Sequence, residues 1–167
     1  MEKHNFWRLD KKRRGALPLY QYFYRKAQIT PPALRIFPKI FLRLFNLIYC
    51  TELSCSCKIG PGLYIGHPFG ITINPNAVIG RNVNIHKGVT IGRENRGARK
   101  GVPVIGNCVW IGINSTIVGH ITIGDDVLIA PNTFVNCDIP SHSVVFGNPC
   151  VIKHRDEATA GYINNKV

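Results

Sequence analysis

The chain has 167 residues, enough for one domain with a short extension, and 45% of them are hydrophobic, as in ordinary soluble proteins. Lys and Arg outnumber Asp and Glu by 21 to 9, and the resulting formal charge of +12 suits phosphates or an anionic membrane face. No nucleic-acid-binding module accompanies that charge, the charged N-terminus lacks the apolar core of a secretory signal, and no segment is fit to span a bilayer, so a cytoplasmic protein is expected.

Residues 1–57 hold eleven Lys or Arg against three acidic residues. The first fourteen are polar and basic and are expected to form a loosely held arm. Residues 16–27 read as a helix rich in aromatics. Thr30-Pro31-Pro32 reads as a helix start, with Thr30 as the cap, followed by a second helix over about 31–49 that Pro38 should kink. Leu34, Phe37, Phe41, Phe45 and Ile48 mark one apolar face of it, with Arg35, Lys39, Arg43 and Asn46 opposite. That face is expected to cap the lower end of the following domain or to meet a neighbouring subunit; the other reading is that it lies on an anionic membrane surface, as a peripheral contact with the inner membrane face.

From Leu53 onward an aliphatic residue returns every six positions: Leu53, Ile59, Ile65, then, after a two-residue slip, Ile73, Ile79, Ile85 and Ile91. After an interruption the run resumes at Ile105, Ile111, Ile117, Ile123, Ile129 and Val135. Small or aliphatic residues often stand four positions later, and Gly often directly after. A hexapeptide period predicts a mainly β protein, a β-helix in which three hexads make a triangular coil of about 18 residues and coils stack about 4.8 Å apart. The domain organisation expected is a basic N-terminal region over 1–50, a β-helix over 51–152 and a tail over 153–167. The interruption, 93–104, is Gly-rich with four basic residues; a loop that breaks a strict period usually serves function. Val144 to Ile152 should form a closing strand pair. The six cysteines show no metal-type spacing and read as buried free thiols.

The hexads, the segment Lys58-Ile-Gly-Pro-Gly-Leu-Tyr-Ile-Gly-His67-Pro-Phe-Gly70, the coil Val83-Asn-Ile-His-Lys-Gly-Val-Thr-Ile-Gly92 and the closing Gly147-Asn-Pro-Cys-Val-Ile152 together resemble the left-handed β-helix acyltransferases. Within them the similarity is to serine O-acetyltransferases and to the related acetyltransferases of exopolysaccharide and capsule assembly. The resemblance covers about 52–152. It implies a left-handed parallel β-helix, acetyl-CoA as co-substrate, no metal and a homotrimer with sites between subunits. It makes His67 the general base, because imidazole can take a proton at neutral pH and return it to the leaving thiolate. It makes Glu52 the acidic partner that orients the ring; the serine enzymes have Asp at that position.

By the same resemblance Gly66 and the triplet Gly101-Val102-Pro103 stand where the serine enzymes carry Asp and Arg-His-Pro. Three polar contacts for a charged amino acid are thus absent together, which points to a different hydroxyl acceptor, a sugar of cell-surface polysaccharide synthesis. The residues expected around the acceptor are Gly66, His86, Lys87, Arg93 and Val102. Lys87 follows the register of His67 one coil above, either to steady an anionic acceptor or as a solvated side chain. Coenzyme A is expected against Gly92, Gly112, Ile113, Ala130, Pro131, Asn148 and Lys153. The histidines at 67, 86 and 120 lack the spacing of β-helix zinc sites, and His120 and His142 read as solvent residues. The alternatives to sugar O-acetylation are a serine O-acetyltransferase of cysteine biosynthesis and a non-catalytic solenoid scaffold.

Overall fold

The computed structural model describes residues 6–13 and 18–167. Helices α1 (Phe6–Lys12), α2 (Pro18–Ile29) and α3 (Ile36–Ile48) precede fourteen short strands, which stack in a parallel solenoid of about five turns. One face of the prism carries β1 (Lys58–Ile59), β4 (Val78–Ile79), β7 (Val104–Ile105) and β10 (Thr122–Ile123). A second carries β3 (Thr72–Ile73), β6 (Thr90–Gly92), β9 (Thr116–Val118) and β12 (Phe134–Val135). The third carries β2 (Tyr64–Gly66), β5 (Asn84–His86), β8 (Val109–Ile111), β11 (Val127–Ile129) and β13 (Ser143–Phe146), closed by the antiparallel β14 (Val151–His154).

Every hexad aliphatic from Leu53 to Val135 is buried, and so are most of the residues four positions later, among them Ala77, Val83, Ser115 and Thr133; Phe69, in the slip, and Asn95, in the interrupting loop, are exposed. Parallel register puts isoleucine on isoleucine: Ile65 pairs with Ile85, Ile85 with Ile111 and Ile111 with Ile129. Buried hydroxyls in this core are satisfied, since Ser115 and Thr133 both donate to the Ala130 carbonyl, at 2.9 and 2.6 Å. The hexad glycines have a steric cause. A Cβ on Gly60 would lie 2.7 Å from the Gly80 carbonyl oxygen of the next coil, so that edge admits no side chain.

The N-terminal region departs from the sequence reading in four ways. First, residues 6–12 form a helix rather than a loose arm, and Arg13 after it is buried; residues 1–5 and 14 of that arm lie outside the described residues. Asp10 is buried, pairs with Arg25 Nε at 2.8 Å and accepts from the Gly62 and Leu63 amides at 2.8 and 3.0 Å. Arg25 donates in turn to the Ile59 and Gly60 carbonyls, both at 2.7 Å, so α1 and α2 together cap the first coil. Second, Thr30 donates to the Lys26 carbonyl at 2.7 Å and closes α2 rather than opening the next helix. Third, the chain breaks after the 3-10 turn Pro32–Leu34, and Pro38 falls in the first turn of α3, where its missing N–H costs nothing and no kink is needed.

Fourth, the apolar face of α3 is not the capping face. Asn46 accepts from the Tyr20 hydroxyl at 2.7 Å and donates to the Leu53 carbonyl at 3.1 Å. Those bonds turn Asn46 and Leu42 inward, with Phe45 half-buried. Leu34, Ile36, Phe37, Ile40, Phe41, Leu44, Leu47 and Ile48 are left exposed, Phe37 at 62% and Leu47 at 70%.

Candidate active site

His67 sits where the hexad period slips. Pairs such as Ile73 with Ile91 and Ile111 with Ile129 are 18 residues apart, whereas Ile65 and Ile85 are 20 apart. The two extra residues make an excursion at the edge between the third and second faces. Beyond it, the Gly88 amide donates to the Phe69 carbonyl at 2.9 Å. His67 has φ +57°, a left-handed turn conformation that His tolerates better than most side chains, and its imidazole is exposed. The same edge position is exposed at Lys87 and Pro131, so the register itself turns His67 outward, and the slip adds the excursion beside it.

Glu52 lies in the segment directly beneath. It bridges to Thr72, and its neighbour Thr51 donates to the carbonyl of Pro68, the residue after His67. Its carboxylate is exposed on the second face, around the corner from the imidazole. Among the described residues no hydrogen bond joins the two side chains.

The edge above His67 gathers several of the expected residues. Because Gly66 pairs with His86, Ile85 with Ile111 and Ile111 with Ile129, the edge positions stack as His67, Lys87, Ile113 and Pro131 in successive coils. Gly112 packs against the next coil so closely that a Cβ there would lie 2.6 Å from the Pro131 nitrogen. Asn148 and Lys153 follow at the top, Lys153 with its ammonium 5.6 Å from the Phe146 ring centroid.

Gly92, Arg93 and Val102 do not join this group within one chain. Gly92 ends β6 on the far edge of the second face, and loop 93–104 leaves from there. That loop is a small hairpin, with Glu94 and Gly101 exchanging backbone hydrogen bonds at 3.0 and 2.9 Å. It is clamped by the His120 amide, which donates to the Arg99 carbonyl at 2.8 Å. Gly101 has φ +145°, and a Cβ on it would come within 2.8 Å of the His120 Cβ. His120, read from sequence as a solvent residue, is exposed, and it holds the loop through its backbone amide.

Gly66 also has a local cause. A Cβ there would lie 2.9 Å from His86 Cδ2, 3.0 Å from Tyr64 Cε1 and 3.1 Å from His86 Nε2. The space beside His67 that the serine pattern gives to a carboxylate is here filled by an imidazole. His86 Nδ1 faces the Ile111 carbonyl at 2.9 Å, so that nitrogen carries the proton and Nε2 is left as an acceptor. Burial pushes the His86 pKa down, the Ile111 hydrogen bond opposes this, and the nearby His67 lowers it further. A second imidazole, biased toward its neutral form, therefore stands next to His67.

The third face carries a row of rings that sequence reading did not single out. Tyr64 and His86 have ring centroids 6.1 Å apart, His86 and Trp110 4.7 Å, and Trp110 and Tyr162 5.1 Å. The signal in the sequence was weak: Tyr64 and Trp110 share one outward strand position with Asn84, but His86 stands two residues further along its strand, in register with Gly66, so no single period links the three rings. Tyr162 comes from the tail, which folds back along the prism. A cavity of ≈ 580 Å³ lies between the helices and the first face, away from His67.

A parallel hexapeptide solenoid with an exposed histidine on one edge is the class of structure defined by these features. Residues 103–137 match the family model described as bacterial transferase hexapeptide (six repeats). The chain is similar to serine acetyltransferases: it is 37% identical over 106 residues to that of Helicobacter pylori (strain ATCC 700392 / 26695), covering 64% of this chain and 62% of the relative. It is 35% identical over 117 residues to serine acetyltransferase 2 of Arabidopsis thaliana, covering 68% and 36%. Among solved structures, serine acetyltransferase from Brucella abortus strain S19 superposes with a TM-score of 0.69 at 27% identity, over 81% of this chain and 55% of that one. The Neisseria gonorrhoeae serine acetyltransferase in complex with serine gives 0.64 at 28% identity, over 80% and 54%. The chain thus spans from about a third to just under two-thirds of the length of these curated relatives.

Proposed function

We propose that this chain is an acetyl-CoA-dependent O-acetyltransferase in which His67 is the general base. The observation that carries the reading is the imidazole held outward at the slip in the solenoid, in a chain similar to serine acetyltransferases over two-thirds of its length. The acceptor hydroxyl gives its proton to His67 as its oxygen attacks the thioester carbonyl. Collapse of the tetrahedral intermediate expels the thiolate, which takes the proton back. Glu52 is placed to stabilise the imidazolium once the acceptor closes the corner between them. Gly112, Ile113, Ala130 and Pro131 offer coenzyme A an edge of backbone and small side chains. Arg93 and Val102, on another edge, reach a His67 only if it belongs to a neighbouring subunit, which supports the homotrimer.

Serine is the acceptor named for the relatives, and similarity favours it. A second reading, a sugar hydroxyl, rests on one specific observation: His86 and Tyr64 occupy the space at Gly66, and Gly101 is fixed by its packing on His120. A neutral imidazole holds an ammonium less well than a carboxylate does. The exposed apolar arc of α3, bordered by Lys39 and Arg43, supports peripheral contact with an anionic bilayer. No helix among the described residues is long and apolar enough to cross a membrane.

The test is thiol release from acetyl-CoA with L-serine and with a panel of sugars. His67→Ala should lower kcat by roughly 10²- to 10⁴-fold on whichever acceptor is used. Turnover undiminished in that variant would remove the general-base assignment.

A further inference from the structure

The ring row beside His67 borders a cavity of ≈ 290 Å³, near the lower end of the roughly 300–1,000 Å³ range of small-molecule sites. Arg13, Tyr64, Asn84, His86, Trp110, Tyr162, Asn164 and Asn165 line it, and none is acidic. Arg13 is 5% exposed. Its Nη2 donates to Asn84 Oδ1, while Nε and Nη1 have no partner among the described residues. No carboxylate pairs with it there. Burial lowers its pKa, and the field of Asp10, itself paired with Arg25, only partly opposes this; a guanidinium stays charged, so the cavity wall holds a positive charge without a carboxylate of its own in a poorly solvated place. Such a charge is costly unless an anion supplies its field.

Two kinds of group therefore converge. Flat aromatic faces at Trp110 and Tyr162 suit the C–H face of a pyranose ring. The asparagine amides and the free His86 Nε2 suit its hydroxyls. The positive wall suits a negative substituent. We infer that this cavity is an acceptor subsite for an anionic sugar, a pyranose bearing a carboxylate or a phosphate, held against Trp110 and Tyr162 with its charge toward Arg13. Tyr64 and His86, which line the cavity, also flank Gly66, the residue before His67, so a sugar held there has the base at its border. The inference rests on the O-acetyl transfer reading only for what happens to the bound sugar; the binding itself is independent of it.

Saturation-transfer NMR on the full-length protein tests it, with methyl glucuronide, glucose 1-phosphate, methyl glucoside and L-serine as probes. The two anionic sugars should show ring-proton saturation and bind at least about 10-fold more tightly than the neutral glucoside. The stronger of the two identifies the source of the charge. His67→Ala should leave this binding intact. Trp110→Ala and Tyr162→Ala should each weaken it, the latter at a half-exposed tail position where folding is little at risk. Arg13→Gln, checked for folding by circular dichroism, should bring the anionic sugars down to the level of the glucoside. Equal binding of charged and neutral sugars, or binding unchanged in Trp110→Ala and Tyr162→Ala, would overturn the inference. Binding as expected with no acetyl transfer to any acceptor would instead defeat the enzymatic reading and leave the subsite standing.

Discussion

At the residue scale the site turns on what fills the space beside His67. A carboxylate placed at position 66 has to displace the His86 ring, whose Nδ1–H is committed to the Ile111 carbonyl. Gly66→Asp alone should therefore lower the melting temperature and give no gain in serine turnover. Gly66→Asp combined with His86→Ala removes the clash, and kcat/KM for serine should rise relative to Gly66→Asp alone if the serine reading of the neighbourhood holds. A steady-state comparison of the two variants reads this directly. A single substitution that raised serine turnover without loss of stability would show that His86 yields easily and does not set specificity. The same residue scale explains why His86 was legible as a candidate and its role was not. Its hexad position was plain, whereas its tautomer depends on a carbonyl 25 residues away.

At the element scale two segments carry predictions. The tail is held by Asp126, which accepts from the Ala158 and Thr159 amides at 2.9 and 3.0 Å, from the Thr159 hydroxyl at 2.6 Å and from His142 at 3.0 Å. Partial burial pushes this carboxyl up, but the hydrogen bonds from Thr159, His142 and Ala158 outweigh it, and its pKa lies below the ordinary aspartate value of 3.8. A carboxyl depressed in the folded state contributes stability above its unfolded pKa, and that contribution is lost as the pH falls through the folded value. The tail should thus stay docked at neutral pH and loosen only in acid below about pH 4. Asp126→Asn should loosen it at pH 7, at a cost of about 1–3 kcal/mol, seen as faster tryptic cleavage at Arg155.

The other segment is α3. Its exposed arc of Ile36, Phe37, Ile40, Phe41, Leu44 and Leu47 should bind phosphatidylserine-containing vesicles in co-sedimentation. Phe37→Ser with Phe41→Ser should abolish that binding, and high salt should weaken it through Lys39 and Arg43. Loss of binding to neutral and anionic vesicles alike in the unaltered protein would assign the arc to a protein partner instead, a second copy of this chain among them.

At the scale of the whole molecule, Arg93 and Val102 lie on a different edge from His67, so a single chain leaves them apart. Equilibrium sedimentation should give three times the mass of one chain, and dilution into monomers should abolish turnover. An active monomer would detach loop 93–104 from the chemistry. Much of this architecture was written in the hexads. A column of isoleucines at six-residue intervals has one low-energy solution, stacked parallel coils, because only that arrangement buries all of them while pairing the backbone. The slip before Ile73, visible as a count, marks the excursion that follows His67.

The N-terminal helices were decided elsewhere. An apolar stripe on a helix fixes which residues share a face but not which way that face turns. For α3 the direction was set by Asn46, whose partners Tyr20 and Leu53 lie in other elements. The helix at 6–12 depends on the Asp10–Arg25 pair and on amides of the first coil, and no local pattern announces it. The ring row and its unpaired arginine likewise arise from the α1 end, three coils and the tail meeting at one place. Local periodicity determined the solenoid because its stabilising contacts repeat along the chain. The cap, the tail and the cavity were decided by hydrogen bonds and packing between distant residues, which only the folded molecule brings together.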